Sequence, residues 1–221
     1  MTAARSLQFS AARPARLGVL ISGRGSNMVA LADAAQAPGA PFQIALVASD
    51  QEDAPGLELA AARGFATAAV RRRDYPGDAP GFEAALTARL RASSCDVICL
   101  AGFMRILSDR FLDGPWADRV LNIHPSLLPA FRGLDTHARA LAAGVRIHGA
   151  TVHLARPAVD DGPILAQAAV PVAPDDDAER LATRVLAEEH RLYPAALAAF
   201  VTGAIWLSAD GARMEGAVIS S

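Results

Sequence analysis

A continuous apolar run at residues 17–21, LGVLI, limits the fold of this chain most strongly. Strands that are buried on both faces carry such runs, and they occur mainly in parallel sheets covered by helices on both sides. Similar runs at residues 44–48 and 97–101 repeat the pattern, with helix-like segments between them. The sequence therefore predicts an α/β fold with a mostly parallel central sheet and helices on both faces.

A glycine-rich turn, SGRGSN at residues 22–27, separates the first run from a helix predicted over residues 28–37. Gly25 allows a ligand to approach the backbone closely, and Ser26 or Asn27 can cap the helix. The exposed N–H groups at a helix N-terminus favour an anion. The turn therefore predicts a phosphate site, and a turn that binds nothing is the alternative.

A dinucleotide site is a further interpretation of the same turn. The fingerprint G-x-G-x-x-G needs a third glycine where Met28 stands, so the match is incomplete. Asp50, however, follows the second predicted strand, which is where an acid that binds a ribose hydroxyl would stand. The class of nucleotide therefore stays open at this point.

The stretch NIHPSLLP at residues 122–129 predicts a second site at the end of a strand. Pro125 has no N–H to donate, so the strand that enters this stretch should stop at His124. Asn122 and His124 are two residues apart and therefore share one face of an extended strand. An amide donor beside a titratable donor can stabilise an oxyanion, and incidental polar residues at a strand-to-loop junction are the alternative.

Two other loops carry charged residues that need an explanation. Arg105 lies among bulky apolar residues in the segment GFMRIL, residues 102–107, and either has a partner in the core or lines a pocket for a flat ring bearing a carboxylate. Asp160 and Asp161 lie in a loop after another predicted strand. A loop aspartate is more often a turn former than a catalytic group.

Composition excludes several kinds of chemistry. All 21 basic residues are arginine, so neither a Schiff-base lysine nor a P-loop lysine is present. A net charge of −2 argues against general nucleic-acid binding, and no apolar run reaches the ~18 residues that span a bilayer. Cys95 and Cys99 predict buried thiols in a reducing cytosol. His148 and His153 are five residues apart and should face opposite sides of a strand, so we expect no zinc site.

The chain is predicted to form a single domain over residues 16–200. Residues 1–15 contain two arginines and no acid, a composition that also resembles a weak organellar transit peptide, and we expect a short disordered extension there. Residues 201–221 are predicted to form a C-terminal tail.

Six segments together carry a resemblance to a known family: VLISGRGSN at 19–27, LAGFMRIL at 100–107, NIHPSLLP at 122–129, HGATVHLA at 148–155, VDDGPILAQ at 159–167 and EEHRLYP at 188–194. They occur in the same order in the folate-dependent formyltransferases, and the chain most closely resembles the phosphoribosylglycinamide formyltransferases of purine synthesis. The resemblance implies a Rossmann-like formyltransferase fold. It also implies transfer of the formyl group of 10-formyltetrahydrofolate, a co-substrate, to the amine of glycinamide ribonucleotide, without a metal.

The resemblance assigns roles to individual residues. The implied catalytic residues are Asn122, His124 and Asp160. The implied ribonucleotide contacts are Gly25, Ser26, Asn27 and Glu189. The implied folate contacts are Met104, Arg105, Ile106, Leu107, Asn122, Arg156, Pro157, Ala158, Val159 and Asp160.

These roles suit the chemistry of formyl transfer. An amine that attacks a formyl carbon creates an oxyanion, and both Asn122 and a protonated His124 would donate to it. Asp160 would favour the imidazolium and relay protons through water. The folate nitrogen must then gain a proton in order to leave.

The chain also departs from the family, and relatives with other activities remain open. Pro80 stands where many relatives carry an arginine for the folate tail, and Asp135 stands where relatives often carry histidine. Methionyl-tRNA formyltransferase and formyltetrahydrofolate deformylase share the catalytic residues, but they usually carry an additional C-terminal or N-terminal domain. A non-catalytic nucleotide-binding module is a further alternative. The resemblance implies small-molecule substrates, no nucleic-acid or membrane partner and a cytoplasmic location, and it leaves a homodimer open.

Overall fold

The computed structural model describes residues 7–208 and 213–216. The strands within these residues are β1 (Ala15–Ile21), β2 (Phe42–Ser49), β3 (Thr67–Ala69), β4 (Val97–Leu100), β5 (Val120–His124), β6 (Ile147–Leu154), β7 (Ile164–Pro171), β8 (Ile205–Leu207) and β9 (Met214–Gly216). The α-helices are α1 (Ser26–Ala35), α2 (Pro55–Ala62), α3 (Ala79–Ala92), α4 (Asp109–Leu112), α5 (Thr136–Ala142) and α6 (Ala178–Thr202). None of the helices in these residues is long and apolar enough to cross a bilayer.

Seven strands form one sheet in the order β3-β2-β1-β4-β5-β6-β7, and β8 and β9 form a separate antiparallel pair. Strand β1 pairs in parallel with β2 and β4, and β2 pairs in parallel with β3. Strands β6 and β7 are antiparallel. The prediction of an α/β fold with a mostly parallel sheet is confirmed, because the apolar runs form the strands that the pattern indicated.

The chain divides into two compact units, an N-terminal unit (Phe9–Leu121) and a C-terminal unit that begins at Asn122. The N-terminal unit is built around β1, whose Leu17, Val19, Leu20 and Ile21 side chains are fully buried. Gly18 interrupts this apolar run because a side chain there would collide with Leu90 of α3. A helix therefore packs directly on the middle of the strand.

The residues just before α1 and α3 determine where these helices begin, and the start of α1 differs from the prediction. Helix α1 begins at Ser26 rather than Met28, and neither Ser26 nor Asn27 caps it: Gly25 occupies the N-cap with φ 74°, and no side chain caps the helix. Glycine adopts this left-handed conformation without strain, so the backbone itself begins the helix. Helix α3 is capped by Asp78, whose carboxylate accepts the Gly81 N–H at 2.8 Å.

The C-terminal unit contains an antiparallel β6–β7 pair covered by α6, which packs against both strands. An aspartate caps the long helix: the Asp177 carboxylate accepts the Arg180 N–H at 2.8 Å. The helix continues to Thr202, beyond the predicted domain boundary at residue 200, and Gly203 ends it with φ 77°.

The predicted extension and tail are described in part. Residues 1–6, 209–212 and 217–221 lie outside the described residues. In the remainder of the predicted extension, Ser10 and Arg13 pair through their backbones, and the Arg13 guanidinium lies 5.8 Å from the centre of the Phe9 ring. Strand β1 begins at Ala15, the last residue of that segment. The predicted tail contains β8 and β9.

Candidate functional site

Strand β5 ends at His124, as the proline that follows it predicted. The His124 side chain is buried, and Asn122 is half-buried on the same strand. Alternation along the strand gives the two side chains one face. The structure therefore presents an amide and an imidazole together at the carboxyl end of β5.

Polar side chains of β6 and β7 hold the segment that follows β5. The Thr151 hydroxyl accepts the Leu128 N–H at 3.0 Å and donates to the Ser126 carbonyl at 2.6 Å. The Gln167 amide donates to the Leu128 carbonyl at 2.9 Å and to the Thr151 hydroxyl at 3.0 Å. These bonds replace the ladder that prolines forbid here, so the backbone next to His124 has a defined position.

Asp160 reaches His124 from the loop between β6 and β7. One oxygen, Oδ2, lies 3.2 Å from His124 Nδ1 and accepts the Gly133 N–H at 2.9 Å. The other ring nitrogen of His124, Nε2, lies 3.0 Å from the Phe131 carbonyl oxygen. The structure thus brings Asn122, His124 and Asp160 together in the C-terminal unit, so the turn-former interpretation of Asp160 does not account for its contacts.

His153 is a fourth member of this group that the sequence reasoning missed as a site residue. Its Nε2 lies 3.2 Å from Asn122 Nδ2 and 3.7 Å from Asp160 Oδ1. A register shift between Val152 and His153 interrupts the regular alternation of β6. The only sequence signal was a polar residue near the end of a strand that leads into the Asp160 loop, and the bulge is not readable from the sequence.

Burial has the largest effect on the pKa of His124. Asp160 favours the imidazolium, as expected, but it does not make the imidazolium the main form near pH 7. Desolvation lowers the pKa of His124 below its ordinary value, and the Phe131 carbonyl and the Asp160 carboxylate offset only part of that shift. Burial opposes ionisation of Asp160 too, but the nearby His153 and the Gly133 N–H hold the pKa of this carboxyl below its usual value. Asp160 is therefore an anion beside a histidine that is mostly neutral near pH 7.

Two further histidines of the C-terminal unit, His137 and His148, pack against each other. His148 is fully buried, with its ring 5.3 Å from the ring of His137 and 5.8 Å from that of Phe131. Burial, reinforced by the neighbouring His137, lowers the pKa of His148 to about 4. In the described part of the chain, no group of His, Cys, Asp and Glu side chains is arranged to hold a metal ion.

The predicted phosphate turn lies in the N-terminal unit and has a support that the sequence reasoning missed. The Gly56 N–H, in the first turn of α2, donates to the Gly23 carbonyl at 3.0 Å. A Cβ at Gly56 would stand 2.9 Å from that carbonyl oxygen, closer than packed atoms allow, and 3.2 Å from the Gly25 Cα, which is an unusually tight contact. A glycine in a helical first turn was the available signal, because no capping role requires it there.

Arg105 has a protein partner, as one of its two predicted interpretations required. Its Nε donates to Asp50 Oδ2 at 2.6 Å, and the Ser22 hydroxyl donates to Asp50 Oδ1 at 2.6 Å. The Met104 N–H donates to the Ser22 hydroxyl at 2.8 Å. The buried Asp50 carboxylate therefore organises the segment predicted to contact folate, in place of the ribose contact that the dinucleotide interpretation gave it.

The remaining predicted ligand residues differ in their exposure. Met104 and Ile106 are 62% and 79% exposed, which leaves their apolar side chains available, whereas Leu107 is buried. In the C-terminal unit, Ala158 and Val159 are exposed, while Arg156 and Pro157 are half-buried. Glu189 is buried on α6.

A cavity of about 250 Å³ in the N-terminal unit is lined by Asp50, Gln51, Glu52, Arg71, Arg72, Arg73 and Arg105. Arg71 pairs with Glu52 at 2.9 Å, and Arg73 pairs with the same carboxylate. Arg72 lies over the Phe82 ring, 5.8 Å from its centre. Arg71 and Arg73 therefore share one acidic partner within the unit, and Arg72 lies against an aromatic ring.

Comparison with known proteins identifies the relatives of this arrangement. Residues 15–197 match the family model described as formyl transferase. The chain is 42% identical over 208 residues to a phosphoribosylglycinamide formyltransferase of Mycobacterium tuberculosis, covering 94% of this chain and 95% of that protein. A crystal structure of a phosphoribosylglycinamide formyltransferase from Brucella melitensis matches with a TM-score of 0.82 at 54% identity, covering 86% of this chain and 97% of that one.

The chain also resembles part of a larger protein. It is 42% identical over 199 residues to the trifunctional purine biosynthetic protein adenosine-3 of Homo sapiens, covering 90% of this chain. The chain spans about a fifth of the length of that relative, since the match covers 20% of it.

The Arg105–Asp50 pair should contribute measurably to stability. Removing Arg105 leaves a buried carboxylate without its cation, so a double-mutant cycle with Arg105→Ala and Asp50→Asn is expected to give a coupling of about 1–2 kcal/mol. Urea denaturation of the four proteins measures it. Arg63 and Asp33, an exposed pair at 3.4 Å, provide the control, and their coupling should stay below about 0.5 kcal/mol. Equal couplings in the two cycles would contradict the role given to Asp50.

His148 should make the free energy of unfolding depend on pH in the acidic range. Its pKa of about 4 in the folded chain lies below the 6.5 of an unfolded histidine, so the unfolded chain binds more protons between these pH values. The free energy of unfolding should therefore fall as the pH falls from 6.5 towards 4, and His148→Phe should remove on the order of 2–3 kcal/mol of that loss. Urea titrations across this range measure the effect. The stability difference between the two proteins at pH 7.5 serves as the reference, and parallel curves for both would refute the assignment.

Proposed function

Because this chain belongs to the formyl transferase family, we propose that it transfers the formyl group of 10-formyltetrahydrofolate to the amine of 5-phosphoribosylglycinamide in purine synthesis. The observation that carries this proposal is the cluster of Asn122, His124 and Asp160, in which an amide, an imidazole and a carboxylate lie within one unit. Relatives named for this activity align over most of the chain. The proposed location is the cytoplasm, with small molecules as substrates.

The proposed reaction is direct attack without a covalent enzyme intermediate. The amine nitrogen bonds to the formyl carbon, and the carbonyl oxygen becomes an oxyanion that accepts from the Asn122 amide and from His124. When the intermediate collapses, the bond from carbon to the folate nitrogen breaks, and that nitrogen takes a proton from His124. The proton lost by the amine passes through water on Asp160 back to His124, so the enzyme ends in its starting state.

Asp160 has a specific electrostatic task in this scheme. Only the protonated fraction of His124 can supply the leaving nitrogen, and burial keeps that fraction small. The carboxylate 3.2 Å away opposes the effect of burial, so it increases the protonated fraction and stabilises the imidazolium as it forms. Asp160 therefore offsets desolvation rather than raising the pKa of His124 above its ordinary value.

The two substrates are proposed to bind through the segments that the family resemblance indicated. The ribonucleotide phosphate is assigned to the backbone of Gly25, Ser26 and Asn27, because α1 begins there without a side-chain cap. Glu189 is assigned to the glycinamide end. The folate is assigned to Met104, Arg105, Ile106 and Leu107 in the N-terminal unit, and to Asn122, Arg156, Pro157, Ala158, Val159 and Asp160 in the C-terminal unit.

One assay tests the proposed activity against its relatives. The protein is incubated with 10-formyltetrahydrofolate and glycinamide ribonucleotide, initiator methionyl-tRNA or water alone, and the deformylated folate is measured. Rapid release of the deformylated folate with the ribonucleotide, and not with the tRNA or with water alone, supports the proposal. Release with the tRNA, or equal release with water alone, would replace it with one of the two other activities.

The phosphate assignment predicts the effect of a substitution in the turn. Gly25→Val should raise the Kd for the ribonucleotide by at least 10-fold, because Gly25 has φ 74° and a Cβ there would lie 3.1 Å from Gly56. Isothermal calorimetry measures the ribonucleotide and the folate separately. Gly23→Ala is the matched control, since a Cβ at Gly23 meets nothing within 4 Å. Unchanged ribonucleotide affinity in folded Gly25→Val, or equal weakening by the control, would rule out this phosphate site.

The catalytic assignment predicts a change in rate and in pH dependence. Asp160→Asn should slow formyl transfer by roughly 10²–10⁴, the usual range for losing acid–base assistance. Asp160 is one of the groups that raise the pKa of His124, so without it His124 loses its proton at lower pH. The alkaline limb of the single-turnover rate should therefore move to lower pH.

Two further variants complete this test. His124→Asn should be similarly slow but lack the alkaline limb, and the double variant should be little worse than either single one, as expected for residues that act as a unit. Fully multiplicative losses, or an Asp160→Asn enzyme as fast as the wild type, would return Asp160 to an ordinary turn residue.

A further inference from the structure

The orientation of the Asn122 amide decides whether this residue can act as a donor. An asparagine side chain offers N–H groups on one side and an acceptor oxygen on the other, and a half-turn exchanges them. The proposed function needs an N–H directed at the oxyanion. A structural feature must therefore hold the amide in one of its two orientations.

The backbone next to His153 determines which nitrogen of that ring carries hydrogen. His153 Nδ1 lies 2.9 Å from the carbonyl oxygen of Leu154. A carbonyl oxygen only accepts hydrogen bonds, so Nδ1 must carry the proton. In the neutral ring, Nε2 then has no hydrogen and can only accept.

This tautomer selects one orientation of Asn122. His153 Nε2 lies 3.2 Å from Asn122 Nδ2, a hydrogen-bond distance. A bare ring nitrogen accepts from the NH2 group but would repel the amide oxygen. One N–H of Asn122 is thus held by His153, and the second N–H of the same group is directed elsewhere in the site.

Asp160 does not compete for Nε2 in this arrangement. Its Oδ1 lies 3.7 Å from His153 Nε2, beyond hydrogen-bond distance. If Nε2 carried a hydrogen, it would donate to that carboxylate or to the oxygen of a reversed Asn122 amide. His153 is only 2% exposed, and the bulge in β6 together with the Leu154 carbonyl restrains its ring.

We propose that His153 is a positioning residue: as the Nδ1–H tautomer, it accepts one N–H of the Asn122 amide and so leaves the second N–H available to the oxyanion. His153 does not exchange protons with the substrate in this role. The inference rests on the proposed function for its effect on rate, and on geometry alone for the tautomer and the amide orientation.

Two substitutions of His153 test the effect on the reaction. His153→Phe keeps a ring of similar size but removes the acceptor, whereas His153→Gln places an amide oxygen near the position of Nε2. We expect His153→Phe to lower kcat by about 10², the scale of a lost oxyanion donor, while KM for both substrates changes less than about 2-fold. His153→Gln should recover most of the lost kcat. In an Asn122→Ala background, His153→Phe should add little further loss, because both changes remove the same donor.

Each kinetic outcome bears on the proposal. A loss in kcat that His153→Gln restores, and that disappears in the Asn122→Ala background, supports it. Equal losses for His153→Phe and His153→Gln, or a loss that multiplies with that of Asn122→Ala, would overturn it in favour of a structural or independent role. Circular dichroism and thermal melts of each variant establish that it is folded.

Nitrogen-15 NMR of the ligand-free wild-type protein provides a readout that is independent of activity. The His153 signals are assigned by their loss in His153→Phe. The proposal expects a protonated Nδ1 and an unprotonated Nε2 at the pH of the assay. A protonated Nε2 would overturn it even if the kinetics agreed. If the wild type transfers no formyl group to the ribonucleotide, the proposed function fails, while the NMR result still decides the tautomer.

Discussion

The arrangement of Asn122, His124 and His153 depends on one largely buried negative charge, the carboxylate of Asp160. It faces His124 Nδ1 at 3.2 Å, accepts the Gly133 N–H at 2.9 Å and lies 3.7 Å from His153 Nε2. Desolvation disfavours any charge at this position, and the Gly133 N–H together with the neighbouring histidine side chains holds the pKa of this carboxyl below its usual value despite it. The same desolvation lowers the pKa of His124. Asp160 therefore stays an anion, while His124 in the same environment is mostly neutral.

Such a cluster needs a rigid frame, and the frame is polar rather than apolar. The prolines after β5 end the hydrogen-bond ladder, so the backbone next to His124 depends on side chains for its partners. Thr151 and Gln167 provide them from β6 and β7. In the N-terminal unit, Asp50 has a comparable task, because its two oxygens bind the Ser22 hydroxyl and the Arg105 guanidinium. Both units thus use buried hydrogen bonds to shape loops that have no regular structure of their own.

Local patterns predicted the elements well because strands and helix caps depend on neighbouring residues. The apolar runs formed parallel strands, and β5 stopped at His124. The start of α1 was predicted wrongly, since Gly25 adopts a left-handed conformation and takes the N-cap from the side chains that follow it. The segments of the family resemblance grouped Asn122, His124 and Asp160, and the structure brings these side chains near one another, although spacing alone left them undecided between a site and a loop.

The sequence by itself determined the fold class, the strand that carries Asn122 and His124, and the chemistry that these residue types allow. Only the tertiary structure decided their partners and protonation. Arg105 pairs with Asp50, which is 55 residues away in the chain. A bulge in β6 lets His153 contact Asn122, which is 31 residues away in the chain. The lowered pKa of His124 likewise follows from its burial in the folded chain. Periodicity and turn chemistry act over a few residues, whereas hydrogen-bond partners and desolvation depend on which distant segments the folded chain brings into contact.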